Sequence, residues 1–144
     1  MKKIAIAALL CAAGAAWAQS TPAGLWKTID DETKQERSLV RISDAGGVLS
    51  GRIEKVLDPA KQDAVCDKCE GEDKGKPISG LTIVRNVKAG SDGAVWEGGE
   101  ILDPNNGKTY KVRLKPVDGG KKLEVRGYIG TPLLGRTQTW LRVE

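Results

Sequence analysis

The sequence predicts an all-β protein, a single antiparallel barrel of eight strands. Three observations carry this. Short segments alternate apolar and polar residues with a period of two, the mark of a strand with one buried face. Turn signals rich in Gly, Asn and Asp separate those segments at short intervals. Beyond the N-terminal stretch, no window of about 11 residues shows the apolar stripe of a helix.

The strands fall at about 24–29, 36–43, 47–56, 80–86, 94–102, 108–115, 121–129 and 134–143. In 47–56, Leu49, Gly51 and Ile53 share one face, with Ser50, Arg52 and Glu54 on the other. In 108–115, Tyr110, Val112 and Leu114 alternate with Lys111, Arg113 and Lys115. In 121–129, Leu123, Val125, Gly127 and Ile129 share a face. Asp44-Ala45-Gly46-Gly47, Gly90-Ser91-Asp92-Gly93, Asn105-Asn106-Gly107 and Asp118-Gly119-Gly120 supply turns. Eight such strands can close on themselves and so remove both sheet edges. An open sandwich is the alternative. Gly51, Gly98, Gly99 and Gly127 interrupt strands, as the bends of a small, sharply coiled barrel require.

The first 18 residues are expected to form a signal peptide and 19–144 the barrel domain. Lys2 and Lys3 supply a positive start, residues 4–16 an apolar run, and Ala16-Trp17-Ala18 a cleavage site before Gln19. The run is too short to span a bilayer of ~30 Å, and a buried helix would lack the polar face that such a helix carries. A lipoprotein signal at Cys11 is disfavoured by Leu10 before it. The expected location is the bacterial periplasm or the exterior.

Of the 23 basic residues, the leader holds Lys2 and Lys3, which leaves 21 against 19 acidic ones. A balance so near neutral, with charges interspersed, gives no nucleic-acid footprint. No second apolar run approaches membrane length, so the mature chain is not expected to span a membrane. There is no histidine and no G-x-S-x-G nucleophile elbow, and the glycine-rich stretches lack the strand-to-helix setting of phosphate loops. No catalytic constellation emerges, so the chain is read as no enzyme, and no cofactor is implied. Glu97 and Glu100, at odd spacing in one strand, are expected on opposite faces and unable to pair.

Cys66 and Cys69 sit in the one long connection, 57–79. An oxidising compartment favours a disulfide between them, a staple that pins a loop near a barrel mouth. A zinc site would need Asp67, Glu70, Glu72 or Asp73 beside the thiolates, an unusual set. A thiol-exchange centre would need a helix and a βαβ setting, which the flanks do not offer.

The last segment places Arg136, Gln138, Trp140 and Arg142 on one face and Gly135, Thr137, Thr139 and Leu141 on the other. An inward Trp140 brings Arg136 and Gln138 with it, and these would offer a cavity donors for a polar ligand group. The plainer reading makes Trp140 a barrel cap and Arg136 a rim residue.

Six stretches, "GLWKTID", "CDKCEG", "KPISGLTIV", "WEGGEILDPNNGKTY", "KLEVRGYIGTPLLGRTQTW" and "RVE", resemble the bacterial secreted proteins grouped as domain-of-unknown-function family 2147. The resemblance covers nearly all of the mature chain. It implies a lipocalin-like barrel and no particular activity. Gly24-Leu25-Trp26 is similar to the G-x-W of the first lipocalin strand, whose Trp packs at the closed end beneath an arginine from a late strand. Arg136 or Arg142 would fill that part here.

The leading expectation is a periplasmic barrel that binds a small amphipathic ligand, with Trp26, Arg85, Glu97, Arg136, Gln138 and Trp140 as candidate cavity residues. An interaction module of the cell envelope is the second. A thiol-exchange protein is the third.

Overall fold

The computed structural model describes residues 20–144. The predicted leader, its cleavage site and Cys11 lie outside the described residues. Eight strands follow in order: β1 Gly24–Ile29, β2 Glu36–Ala45, β3 Val48–Val56, β4 Thr82–Ala89, β5 Trp96–Asp103, β6 Lys108–Val117, β7 Lys122–Tyr128 and β8 Gly135–Arg142. Each pairs antiparallel with the next, and β1 pairs with β8, so the sheet is a closed barrel. The only helical pieces among the described residues are short 3-10 turns.

The two ends differ because their connections differ. At one end sit the hairpins 45–48, 89–96 and 117–122, with the segment before β1 and the last residues of the chain. This half is filled. Trp26, Ile42, Leu49, Val87, Leu114 and Leu123 are buried there, each from the inward parity of its strand. Burying a side chain of this size is worth about 1.5–3 kcal/mol, so this layer anchors the fold. At the other end the connections 30–35, 57–81, 104–107 and 129–134 stand apart and leave the barrel open.

Two irregularities break the alternation of two. In β4, Asn86 has φ of 59° and both Ile83 and Val84 are buried, so neighbours no longer alternate cleanly. In β5 the register slips between Trp96 and Gly99, with Gly98 at φ of 85°, a bulge that suits glycine. That bulge overturns the expectation for Glu97 and Glu100. Glu97 packs beside Arg113 on the outer face, Oε2 to Nε 3.2 Å, and Glu100, opposite Lys111, is exposed. Odd spacing therefore ends outside the barrel at both positions.

The seam between β1 and β8 is short. Their register covers Trp26 with Arg142 and Lys27 with Leu141, extended by Leu25 N–H to Glu144 O and Val143 N–H to Leu25 O. The β7–β8 register, in contrast, runs from Lys122 with Leu141 to Tyr128 with Gly135.

Cys66 and Cys69 form a disulfide, Cα to Cα 5.3 Å. Both are buried. Backbone bonds Cys66 N–H to Lys76 O and Gly75 N–H to Cys66 O tie the loop to itself. The loop lodges against the β5–β6 turn, where Gly107 packs on the Lys68 carbonyl. The two sulfurs are bonded to each other, so the thiolates zinc would require are consumed. Among the described residues no cluster of three or more metal-ligating side chains occurs. Replacing both cysteines by alanine is expected to leave a folded barrel that is less stable by about 2 kcal/mol, the chain-entropy value for so short a loop. Urea unfolding checks this, and a chain that fails to fold would show the loop to be more than a staple.

Candidate functional site

The closed end is built around Trp26. Its indole N–H donates to Pro22 O at 2.8 Å, and the Arg142 guanidinium lies over the ring, 4.2 Å from its centroid. Arg142 also donates to three main-chain carbonyls: Gly120 at 2.5 Å, Ala23 at 2.9 Å and Thr21 at 2.8 Å. Burial pushes its pKa down from the ordinary arginine value. The guanidinium thus covers the Trp and ties the segment before β1 to the β6–β7 hairpin. Of the two arginines expected over this Trp, Arg142 is the one in place.

The open half holds a cavity of about 840 Å³. Ile53, Val56, Ile83, Ile101 and Val125, contributed by β3, β4, β5 and β7, line one side of it. Strands β8, β1 and β2 line the other with Trp140, Gln138, Thr28 and Ser38. The Thr28 and Ser38 hydroxyls are 2.7 Å apart and buried. The Trp140 N–H donates to Gln138 Oε1 at 3.3 Å. Gly127 on β7 also lines the space; a Cβ there would stand at ordinary contact, 3.6 Å from Tyr110 Cβ and 3.7 Å from Ile101 Cγ2.

Charged side chains that border the cavity come from the loops and strand ends at the mouth. Arg37 Nε is 2.8 Å from Asp30 Oδ2, and Arg136 Nη2 is 3.6 Å from Asp31 Oδ2. Asp30 also accepts from the Thr33 and Glu32 N–H groups; these bonds, more than Arg37, hold its pKa below the usual carboxylate value. The mouth carries an apolar lip as well: Ile129, Leu133 and Leu134 are all exposed there.

The structure brings three of the six sequence candidates together. Arg136, Gln138 and Trp140 line the cavity, with Trp140 deep, Gln138 above it and Arg136 at the rim. The other three lie elsewhere. Trp26 is buried in the closed half. Arg85 points outward from β4 and reaches Asp73, 3.8 Å away. Glu97 is held on the outer face by Arg113. Sequence reasoning missed Thr28, Ser38 and Gly127 as cavity residues. The first two are small and polar, and only a β1–β2 register that sets Thr28 opposite Ser38 shows them as a pair.

A family model described as an uncharacterized protein conserved in bacteria, domain of unknown function 2147, matches residues 24–142. The chain belongs to this family. Among solved structures it is similar to a protein of the human pathogen Helicobacter pylori described as belonging to the lipocalin family. The TM-score is 0.71 at 21% identity, over 85% of this chain and 82% of that one. The family member described here is therefore lipocalin-like in fold. No curated protein matches the chain. Among the described residues no helix is long and apolar enough to cross a membrane.

Proposed function

We propose that this family member is an exported bacterial barrel that holds a small amphipathic or hydrophobic ligand in the open half of its barrel. The cavity carries the reading. At about 840 Å³ it lies in the size range of small-molecule sites, and like them it joins apolar walls to a few placed polar groups. The leader-like first 18 residues and the buried disulfide support export to an oxidising compartment.

The test is a native mass spectrum of the protein purified gently from the periplasm, followed by titration with the neutral dye N-phenylnaphthylamine. An adduct lost on denaturation, or saturable dye fluorescence at one site per chain, is the expected result. The bare mature mass together with no dye binding would sink the reading. One observation favours the second reading, an envelope interaction module: the exposed lip of Ile129, Leu133 and Leu134. Thiol exchange is the least supported, because an attacking thiolate needs access to a sulfur and both are covered.

A further inference from the structure

The cavity's polar groups say more about the occupant than its volume does. This step rests on the binding reading above. Indole N–H is a donor only, so the Gln138 atom that faces Trp140 must be the amide oxygen. The amide nitrogen is then turned away from the indole. Among the described residues it has no acceptor, although Gln138 lines the cavity. The Thr28 and Ser38 hydroxyls share one hydrogen between them, which leaves one hydroxyl hydrogen for a third partner. The inner wall therefore offers neutral donors on the β8–β1–β2 side, opposite a wall of aliphatic side chains.

It offers no charge. The charged residues that border the cavity sit at the mouth, and among the described residues all but Lys61 are already engaged. Arg37 is held by Asp30 and Arg136 by Asp31. Asp58 caps the Ala60 N–H, Asp103 the Asn105 N–H, and Glu36 pairs with Lys27. A carboxylate carried past the mouth to the inner wall would leave Lys61 behind at the rim and be stripped of water with no cation among the residues of that wall. A carbonyl oxygen would lose little and gain a donor.

We infer that the ligand is an uncharged amphipath whose carbonyl-type acceptor lies inside the barrel on the Gln138 amide N–H and the Thr28–Ser38 hydroxyl pair, with its apolar body along the aliphatic wall towards the lip. Esters, amides and ketones belong to the class; free fatty-acid anions do not.

The experiment compares methyl dodecanoate with dodecanoic acid at neutral pH, each displacing N-phenylnaphthylamine from the wild-type protein. The ester is expected to bind at least tenfold more tightly. Gln138→Met, which keeps an unbranched chain and removes the donor, is expected to weaken the ester about fivefold relative to the dye measured on the same variant, the worth of one neutral hydrogen bond. Gln138→Glu reverses the donor and is expected to weaken it likewise. Should either variant misfold, the ester-to-acid ratio of the wild type still decides. Acid binding as tight as ester binding, or an ester indifferent to both Gln138 variants, overturns the inference while dye binding leaves the cavity reading standing. Absence of dye, ester and acid binding alike overturns both.

Discussion

Replacing Arg142 with alanine is expected to cost the barrel about 3–5 kcal/mol. The side chain does two things at once. It covers the face of the buried Trp26 at 4.2 Å, and it donates to the carbonyls of Gly120, Ala23 and Thr21. A charged hydrogen bond contributes about 1.5–3 kcal/mol and a cation over a largely desolvated ring about 2 kcal/mol. The sum is discounted because the guanidinium is only partly buried. Urea unfolding, with its slope unchanged, measures the loss. Arg142→Lys is expected to recover less than half of it, since an ammonium cannot reach three carbonyls and lie flat on an indole. A loss within about 0.5 kcal/mol, the range of ordinary surface substitutions, would show that Trp26 holds the closed end by itself.

The second large effect is on binding. Gly127→Phe is expected to abolish uptake of N-phenylnaphthylamine, a fall of at least tenfold or ~1.4 kcal/mol, while the barrel stays folded. The new Cβ meets its neighbours at ordinary contact and the ring beyond it enters the open half of the barrel. Removing a glycine from a strand interior recovers about 0.5–1 kcal/mol of chain entropy, so a small gain in stability is expected beside the loss of binding. Gly99, a strand glycine of similar appearance, is no substitute: a Cβ there would run into the backbone of Arg85 and Asn86. Unchanged dye binding by Gly127→Phe would place the dye outside the barrel.

These two glycines show what could be read from the chain and what could not. The strands themselves were legible, since period-two alternation and turn residues are local. Observed bounds differ by at most three residues, from none at β1 to the largest shift at β4, expected at 80–86 and found at Thr82–Ala89. That Arg136, Gln138 and Trp140 share one face of β8 was equally legible from their spacing; that this face turns inward comes only from closure of the barrel. Glu97 and Arg85 were not, because the β5 bulge and the Asn86 kink reset parity between positions where sequence spacing still counts two. Nor does any local signal separate Gly127, with a cavity above it, from Gly99, with a backbone above it. That difference is made by strands far apart in sequence.

The short seam between β1 and β8 has a consequence for how the molecule is made. Seven of the eight strand pairings join neighbours in sequence, so each can form as a hairpin as soon as its two strands are available. The eighth joins Trp26 to Arg142 and carries the longest loop-closure entropy in the fold. Few residues take part in it, and they include the arginine that covers Trp26. A chain emerging N-terminus first can thus assemble a ribbon of hairpins but cannot become a ring. Ring closure waits for residues 141–144, and until they arrive the first strand keeps one edge unpaired and open to other chains.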